Sequence, residues 1–304
     1  MTPGIAMGID LGGSSAKGVM VTREGSMLVR QSQPFDSAEP RAFVEAVREL
    51  VHSLEAKGMG LAGSCGLSAP GLTSADGKSI AYMPGRLEGL EGLDWSIALG
   101  RQGDIPVLND AQAALLGEVW LGAARGSRHV FMLTLGTGVG GAAMVDGRLL
   151  RGAMGRAGHL GHLSLDPDGP PDVCGAPGSL EWAMGNASIV DRTGGRFTTT
   201  HELIAAFESG DGPARVFWLT AVRRLAAAVA SLINVLDPDT VIIGGGIAKA
   251  GESLFKPLEQ YLEVFEWRPG GVRARIVPAQ LGEYAGALGA AYHSMVDRPR
   301  SEGS

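Results

Sequence analysis

The residues able to do chemistry are an adjacent pair, Asn109-Asp110, and three glycine-rich turns: Asp10-Leu-Gly-Gly-Ser-Ser15, Leu135-Gly-Thr-Gly-Val-Gly-Gly141 and Ile243-Gly-Gly-Gly-Ile247. Each turn follows an apolar run. Glycine has no Cβ, so backbone N–H groups at such turns can crowd against a polyanion. Three of them on strand ends call for a folded cleft that holds a nucleotide polyphosphate, and that chemistry is phosphoryl transfer.

The elements that position these residues read from periodicity. Ile5 to Asp10 and Lys17 to Thr22 flank the first turn, and Arg23-Glu-Gly25 leads into Ser26 to Gln31. This is a strand meander. A Rossmann or P-loop arrangement needs a helix directly after the glycines, so neither is expected. Phe43, Val44, Val47, Leu50, Val51 and Leu54 recur at helical spacing over Pro40 to Lys57, and Leu61 to Ser68 returns as a strand. Ile105 to Leu108 predicts a short strand, and Ala111 to Leu121 a helix with Asp110 at its cap. His129 to Leu135, Gly141 to Val145 and Arg148 to Leu150 restart the first meander, with Asp146-Gly147 as a hairpin turn. Arg215 to Leu236 is a long apolar-striped helix stopped by Asp237-Pro238, Val241 to Ile243 is a buried strand, and Tyr284 to Val296 is a final helix before a frayed tail at Arg298 to Ser304.

At 304 residues with 45% hydrophobic content the chain can build two cores. Lys plus Arg total 26 against 32 for Asp plus Glu, which excludes a basic footprint for nucleic acid and a polybasic membrane anchor. No window is expected to reach the apolar length of a membrane span. Two distant cysteines, Cys65 and Cys174, imply no disulfide framework and a cytoplasmic protein.

In this order and spacing, the motifs resemble those of the ROK (repressor, open reading frame, kinase) family of sugar kinases and sugar-sensing repressors, over essentially the whole chain. Asp10-x-Gly-Gly-Ser with Lys17 is similar to its first phosphate motif, Ser68-Ala-Pro-Gly71 to its interdomain turn, Asn109-Asp110-Ala-Gln to its catalytic segment, and Leu135 to Gly141 to its second phosphate motif. Asp237-Pro-Asp followed by Val241 to Ile247 is similar to its adenosine-side motif. The resemblance implies an α/β, two-domain actin-like ATPase (ribonuclease H-like) fold with an interdomain cleft: residues 1–115 with 284–298 form one lobe, and 116–283 the other. It also implies ATP and Mg²⁺, a sugar or polyol substrate and a homodimer. The family's repressors carry an N-terminal DNA-binding extension; here the phosphate motif begins within ten residues, which favours the kinase branch.

A sugar hydroxyl has a pKa far above neutrality and needs a proton acceptor, for which Asp110 is the candidate; from local pattern alone it serves equally as a helix cap. Asn109 would bind an adjacent hydroxyl through its amide. Asp10 would hold Mg²⁺ directly or through water. Backbone amides of Gly12, Gly13, Gly136 and Gly138, with the hydroxyls of Ser14 and Thr137, would take phosphates, leaving Lys17 a solvated strand charge. Gly244, Gly245 and Gly246 would make room for adenosine. Ser68, His162 and Glu181 are expected at the sugar.

Three departures bear on substrate. Where family hexokinases carry a glutamate three residues before the final His, this chain has His159, and a neutral imidazole offers one acceptor and one donor where glutamate offers acceptors only. The resemblance therefore leaves open a cyclitol, a keto sugar or an amino sugar, as well as a non-catalytic sugar-binding regulator. The family's zinc segment has one His and three Cys; here His162 is followed by Asp172, Cys174 and Ser179, so zinc is expected to be absent and His162 free for sugar. Tyr82 and Arg86 stand where family glucokinases have a sugar-contacting Asn and a Trp-like stretch; Arg86 reads locally as a loop charge.

Overall fold

The computed structural model describes residues 4–58 and 62–296, so the tail from Arg298 and the predicted strand start at Leu61 lie outside the described residues. The chain forms two compact units, residues 1–126, 151–157 and 280–304 in the first and 127–150 with 158–279 in the second. The helix Asp110–Leu121 runs unbroken past residue 115 to a turn at Gly122.

In the first unit, β1 (Ala6–Leu11), β2 (Ser15–Val21), β3 (Met27–Pro34), β4 (Ser64–Ala69) and β5 (Val107–Asn109) form one sheet in the order β3-β2-β1-β4-β5. The first three are antiparallel neighbours and β1, β4 and β5 are parallel. The meander is therefore as the periodicity predicts. The helix Ala42–Lys57 buries Phe43, Val47, Leu50 and Leu54, each contributing roughly 1.5–3 kcal/mol of apolar burial, in a core with Met7, Ile9 and Leu11 of β1.

The other face of this sheet is covered by the helix Ala285–Val296 at backbone contact distance. A Cβ at Gly289 would lie 1.7 Å from the Ala113 carbonyl oxygen of the helix Asp110–Leu121, and one at Gly8 would lie 1.8 Å from the Ala287 carbonyl oxygen. No residue with a side chain fits there. The start of this segment is fastened by Glu118, which is fully buried and accepts hydrogen bonds from the backbone N–H groups of Gln280 and Leu281 at 2.8 Å each.

The second unit repeats the plan. Here β6 (Val130–Leu135), β7 (Val139–Val145), β8 (Arg148–Leu149), β9 (Thr240–Gly244) and β10 (Arg275–Pro278) take the order β8-β7-β6-β9-β10, with the same antiparallel and parallel senses. Its core is built on the helix Gly212–Leu236, entered through an Asp211 cap and Pro213 and closed by Asp237 in the left-handed region. That helix corrects the expectation that no segment reaches membrane-span length: its 25 residues are long and apolar enough by composition. The apolarity has another cause, because Trp218, Leu225 and Val229 on its stripe are buried in the core of a packed unit.

Candidate active site

The parallel register of β1 with β4 puts Asp10 opposite Ser68. The Ser68 hydroxyl donates to Asp10 Oδ1 at 2.5 Å. Burial pushes the Asp10 carboxyl up to about 6, the Ser68 hydrogen bond works against this, and the Asp110 charge adds to it. Ser68, expected at the sugar, is fully buried here and its hydroxyl hydrogen goes to Asp10. Lys17 pairs with Glu283 at 3.5 Å near the surface, in keeping with a solvated strand charge.

At the end of β5 the cap assignment shifts by one residue. Asn109, not Asp110, is the N-cap of the helix Asp110–Leu121, its side-chain oxygen accepting from the N–H groups of Ala111 and Gln112. Asn109 Nδ2 donates to the Gly71 carbonyl at 3.0 Å, and the residue is only 4% exposed. Asp110 is the first helical residue, with one oxygen 2.8 Å from the Ala111 N–H. Burial raises its pKa; that hydrogen bond, the Asn109 side chain and the Arg86 charge oppose the rise.

Asp110 lines a cavity of about 370 Å³ together with Gly12, Gly13 and Arg86. Gly12 closes the β1–β2 turn by donating to the Ser15 carbonyl at 2.9 Å, and Ser14 is exposed in the same turn. The structure thus gathers Asp10, Gly12, Gly13, Asn109 and Asp110 within one unit. It adds Arg86, which sequence reasoning set aside; the available signal was a charged residue directly after the Pro84-Gly85 turn.

In the second unit, the turn Gly136-Thr137-Gly138 is held from below by the residues after Met184, through Asn186 N–H to the Gly136 carbonyl at 2.9 Å and Ala187 N–H to the Thr137 carbonyl at 2.8 Å. Thr137 is exposed. Gly244 ends β9, and Gly245 has φ +88° with its missing Cβ 2.3 Å from the Leu135 carbonyl oxygen, so the second and third glycine turns are neighbours. Gly246 follows, exposed, with nothing within 4 Å of a Cβ position.

Glu181, in the first turn of the helix Leu180–Met184, accepts from the Val139 N–H at 2.9 Å through Oε2. Its Oε1 is buried without a partner. His159 is half-buried, its Nε2 also buried without a partner, and burial followed by the nearby His162 lowers its pKa, holding the ring neutral. Each has an unmet hydrogen-bonding atom that a hydroxyl-bearing ligand can satisfy.

His162, expected at the sugar, has partners within its own loop. Its Nδ1 lies 2.8 Å from Asp172 Oδ2 and its Nε2 3.6 Å from Cys174 Sγ. The ligand atoms of these three residues lie within 4.8 Å of one another. As a structural zinc site the set does not fit. The Asp172 carboxylate already accepts from His162, Ser179 and the N–H groups of Cys174 and Ala176, only two of the donors are the Cys or His that structural zinc usually takes, and the fourth position is a hydroxyl.

A model of the ROK family matches residues 6–295. A glucokinase from Thermotoga maritima is 31% identical over 94% of this chain and 95% of its own length. An N-acetylmannosamine kinase from Escherichia coli is 29% identical over 94% of this chain and 96% of its own. The crystal structure of a ROK hexokinase from Thermus thermophilus superposes with a TM-score of 0.82 at 31% identity, covering 96% of this chain and 98% of that one. A ROK family glucokinase from Streptomyces griseus, solved with glucose and AMPPNP, gives 0.74 at 26% identity, covering 96% and 99%. Matching strand order in both units and these likenesses establish the actin-like ATPase fold. The chain belongs to the ROK family.

Proposed function

We propose that this chain, an ATP-dependent sugar kinase, transfers the γ-phosphoryl group of ATP to a hydroxyl of a hexose or hexose-like polyol, with Asp110 as general base. The observation that carries this reading is the position of Asp110, in a cavity shared with the Gly12-Gly13 turn while Asn109 takes the capping duty. A carboxylate whose pKa is raised by burial is a stronger base than one in water, and the Arg86 charge is among the smaller effects that oppose the rise. Asp10 is the residue that would hold magnesium, and the bound ion would neutralise phosphate charge.

In the second unit, Glu181 Oε1 accepts from one sugar hydroxyl, and the neutral His159 imidazole supplies one acceptor or one donor to the ring. That imidazole favours a second substrate reading, a cyclitol, keto sugar or amino sugar in place of glucose. Amides of Gly136 and Gly138 with the Thr137 and Ser14 hydroxyls hold phosphate, and Gly244 to Gly246 accommodate adenosine. The reading includes a homodimer without structural zinc. A cytoplasmic location suits an ATP-using enzyme with free Cys65 and Cys174.

The test is coupled ADP release with a panel of hexoses, amino sugars, keto sugars and cyclitols, on the native chain and on Asp110→Asn. Transfer to one class, lowered about 10²- to 10⁴-fold by the substitution while nucleotide affinity holds, is the expected result. Equal loss of turnover and nucleotide affinity would make Asp110 a structural residue. Tight sugar binding without turnover on any acceptor would favour a regulator. Metal analysis is expected to give zinc near background.

A further inference from the structure

We infer that Arg86 is a catalytic residue that binds the transferred phosphoryl group in the transition state, an inference that rests on the kinase reading above.

The first observation is the position of the guanidinium. Arg86 Nη2 lies 3.6 Å from the point a Cβ of Gly13 would occupy, so the fork stands over the bare face of the first phosphate turn. The same side chain lines the cavity with Gly12, Gly13 and Asp110, and it is the single cation among the residues that do. Its charge also acts on Asp110, adding a small opposition to the dominant effect of burial there.

The second observation is how the side chain is held. Gly85 and Leu87 flank it with φ of +76° and +50°. Left-handed backbone is ordinary for Gly85 but costs about 1 kcal/mol or more for Leu87 and persists only where packing enforces it. Leu87 is 8% exposed and joins the core that holds Phe43 and Leu90. A buried anchor in a strained conformation thus fixes the backbone from which the exposed arginine projects. Among the described residues, Arg86 has no ion-pair or hydrogen-bond partner, unlike Arg48, Arg101 and Arg268, which are paired to carboxylates.

The chemistry requires a cation at this place. An acceptor oxygen forms its bond to the γ-phosphorus as the bond from that phosphorus to the β,γ-bridging oxygen breaks. The electron pair leaves on ADP, and the acceptor's proton passes to an Asp110 oxygen. An ionised Asp110 and an anionic phosphoryl group repel each other across one small cavity. A planar guanidinium beside both offers paired N–H donors to the equatorial phosphoryl oxygens and offsets that repulsion. Lysine, a point charge, reproduces the charge but not the fork.

The experiment compares the native chain with Arg86→Ala and Arg86→Lys, with melting temperature as the folding control. On neutral sugars, Arg86→Ala is expected to lower kcat on the order of 10³-fold with sugar KM changed less than about threefold, Arg86→Lys to fall between, and added guanidinium ion to restore part of the Arg86→Ala rate. Calorimetry is expected to show that the native preference for AMPPNP over ADP disappears in Arg86→Ala. Unchanged kcat on neutral sugars, with a loss confined to uronates or sugar phosphates, would overturn the inference and make Arg86 a reader of an acidic acceptor. Absence of native turnover on every acceptor would instead bring down the kinase reading; the AMPPNP-to-ADP comparison then decides Arg86 alone, and an unchanged ratio overturns it.

Discussion

Ser68 on β4 and Asp10 on β1 are register partners in parallel strands, joined by a 2.5 Å hydrogen bond from hydroxyl to carboxylate. The bond opposes a burial that raises the Asp10 carboxyl to about 6. A carboxyl raised in the folded state binds its proton more tightly there than when unfolded, so its contribution to stability declines as pH rises from about 4 through about 6. In magnesium-free buffer, Asp10→Asn is therefore expected to stabilise the chain by about 1–2 kcal/mol at pH 7 and by nothing at pH 4, while transfer activity is lost. Ser68→Ala, which removes the compensating donor, is expected to destabilise by about 1–3 kcal/mol at pH 7. Denaturant melts across this pH range check both signs.

His159→Glu is expected to raise kcat/KM on glucose relative to the native substrate, on the order of tenfold or more, because an acceptor-only carboxylate replaces a neutral donor-acceptor ring. Paired kinetics on glucose and the best substrate of the native chain provide the check. Unchanged selectivity would show that the imidazole does not read the ring.

Gly289→Ala places a Cβ where the Ala113 carbonyl oxygen already lies 1.7 Å away. Backbone cannot yield as a flexible side chain does, so the two helices must separate, at a cost of about 3 kcal/mol or more. Because Asp110 begins the displaced helix, kcat should fall in whatever fraction remains folded. Thermal melts with kinetics on the soluble fraction test this.

The sheets and both meanders were legible because alternation and glycine turns are local signals, as in β1, β2 and their Gly12-Gly13 turn. The capping residue was misplaced by one position because Asn109 and Asp110 are both good caps, and the choice depends on the Gly71 carbonyl, 38 residues away, that orients the Asn109 amide. His162 could not be read from its neighbours: its ring nitrogens are taken by Asp172 and Cys174 through the fold of a proline-rich loop. The role of Ser68 was hidden for the same reason, since only strand register shows where its hydroxyl goes. Glu118 carries no motif at all, and its clamp on Gln280 and Leu281 spans more than half the chain.

The helix Ala285–Val296, which covers the sheet of the first unit, is made after every strand of both units. The second unit lies wholly upstream of it and has all its strands once β10 has emerged from the ribosome. The first unit, though begun earlier, must wait with Gly8 and Ala113 uncovered until that closing segment arrives. The order of maturation is thereby inverted with respect to the order of translation.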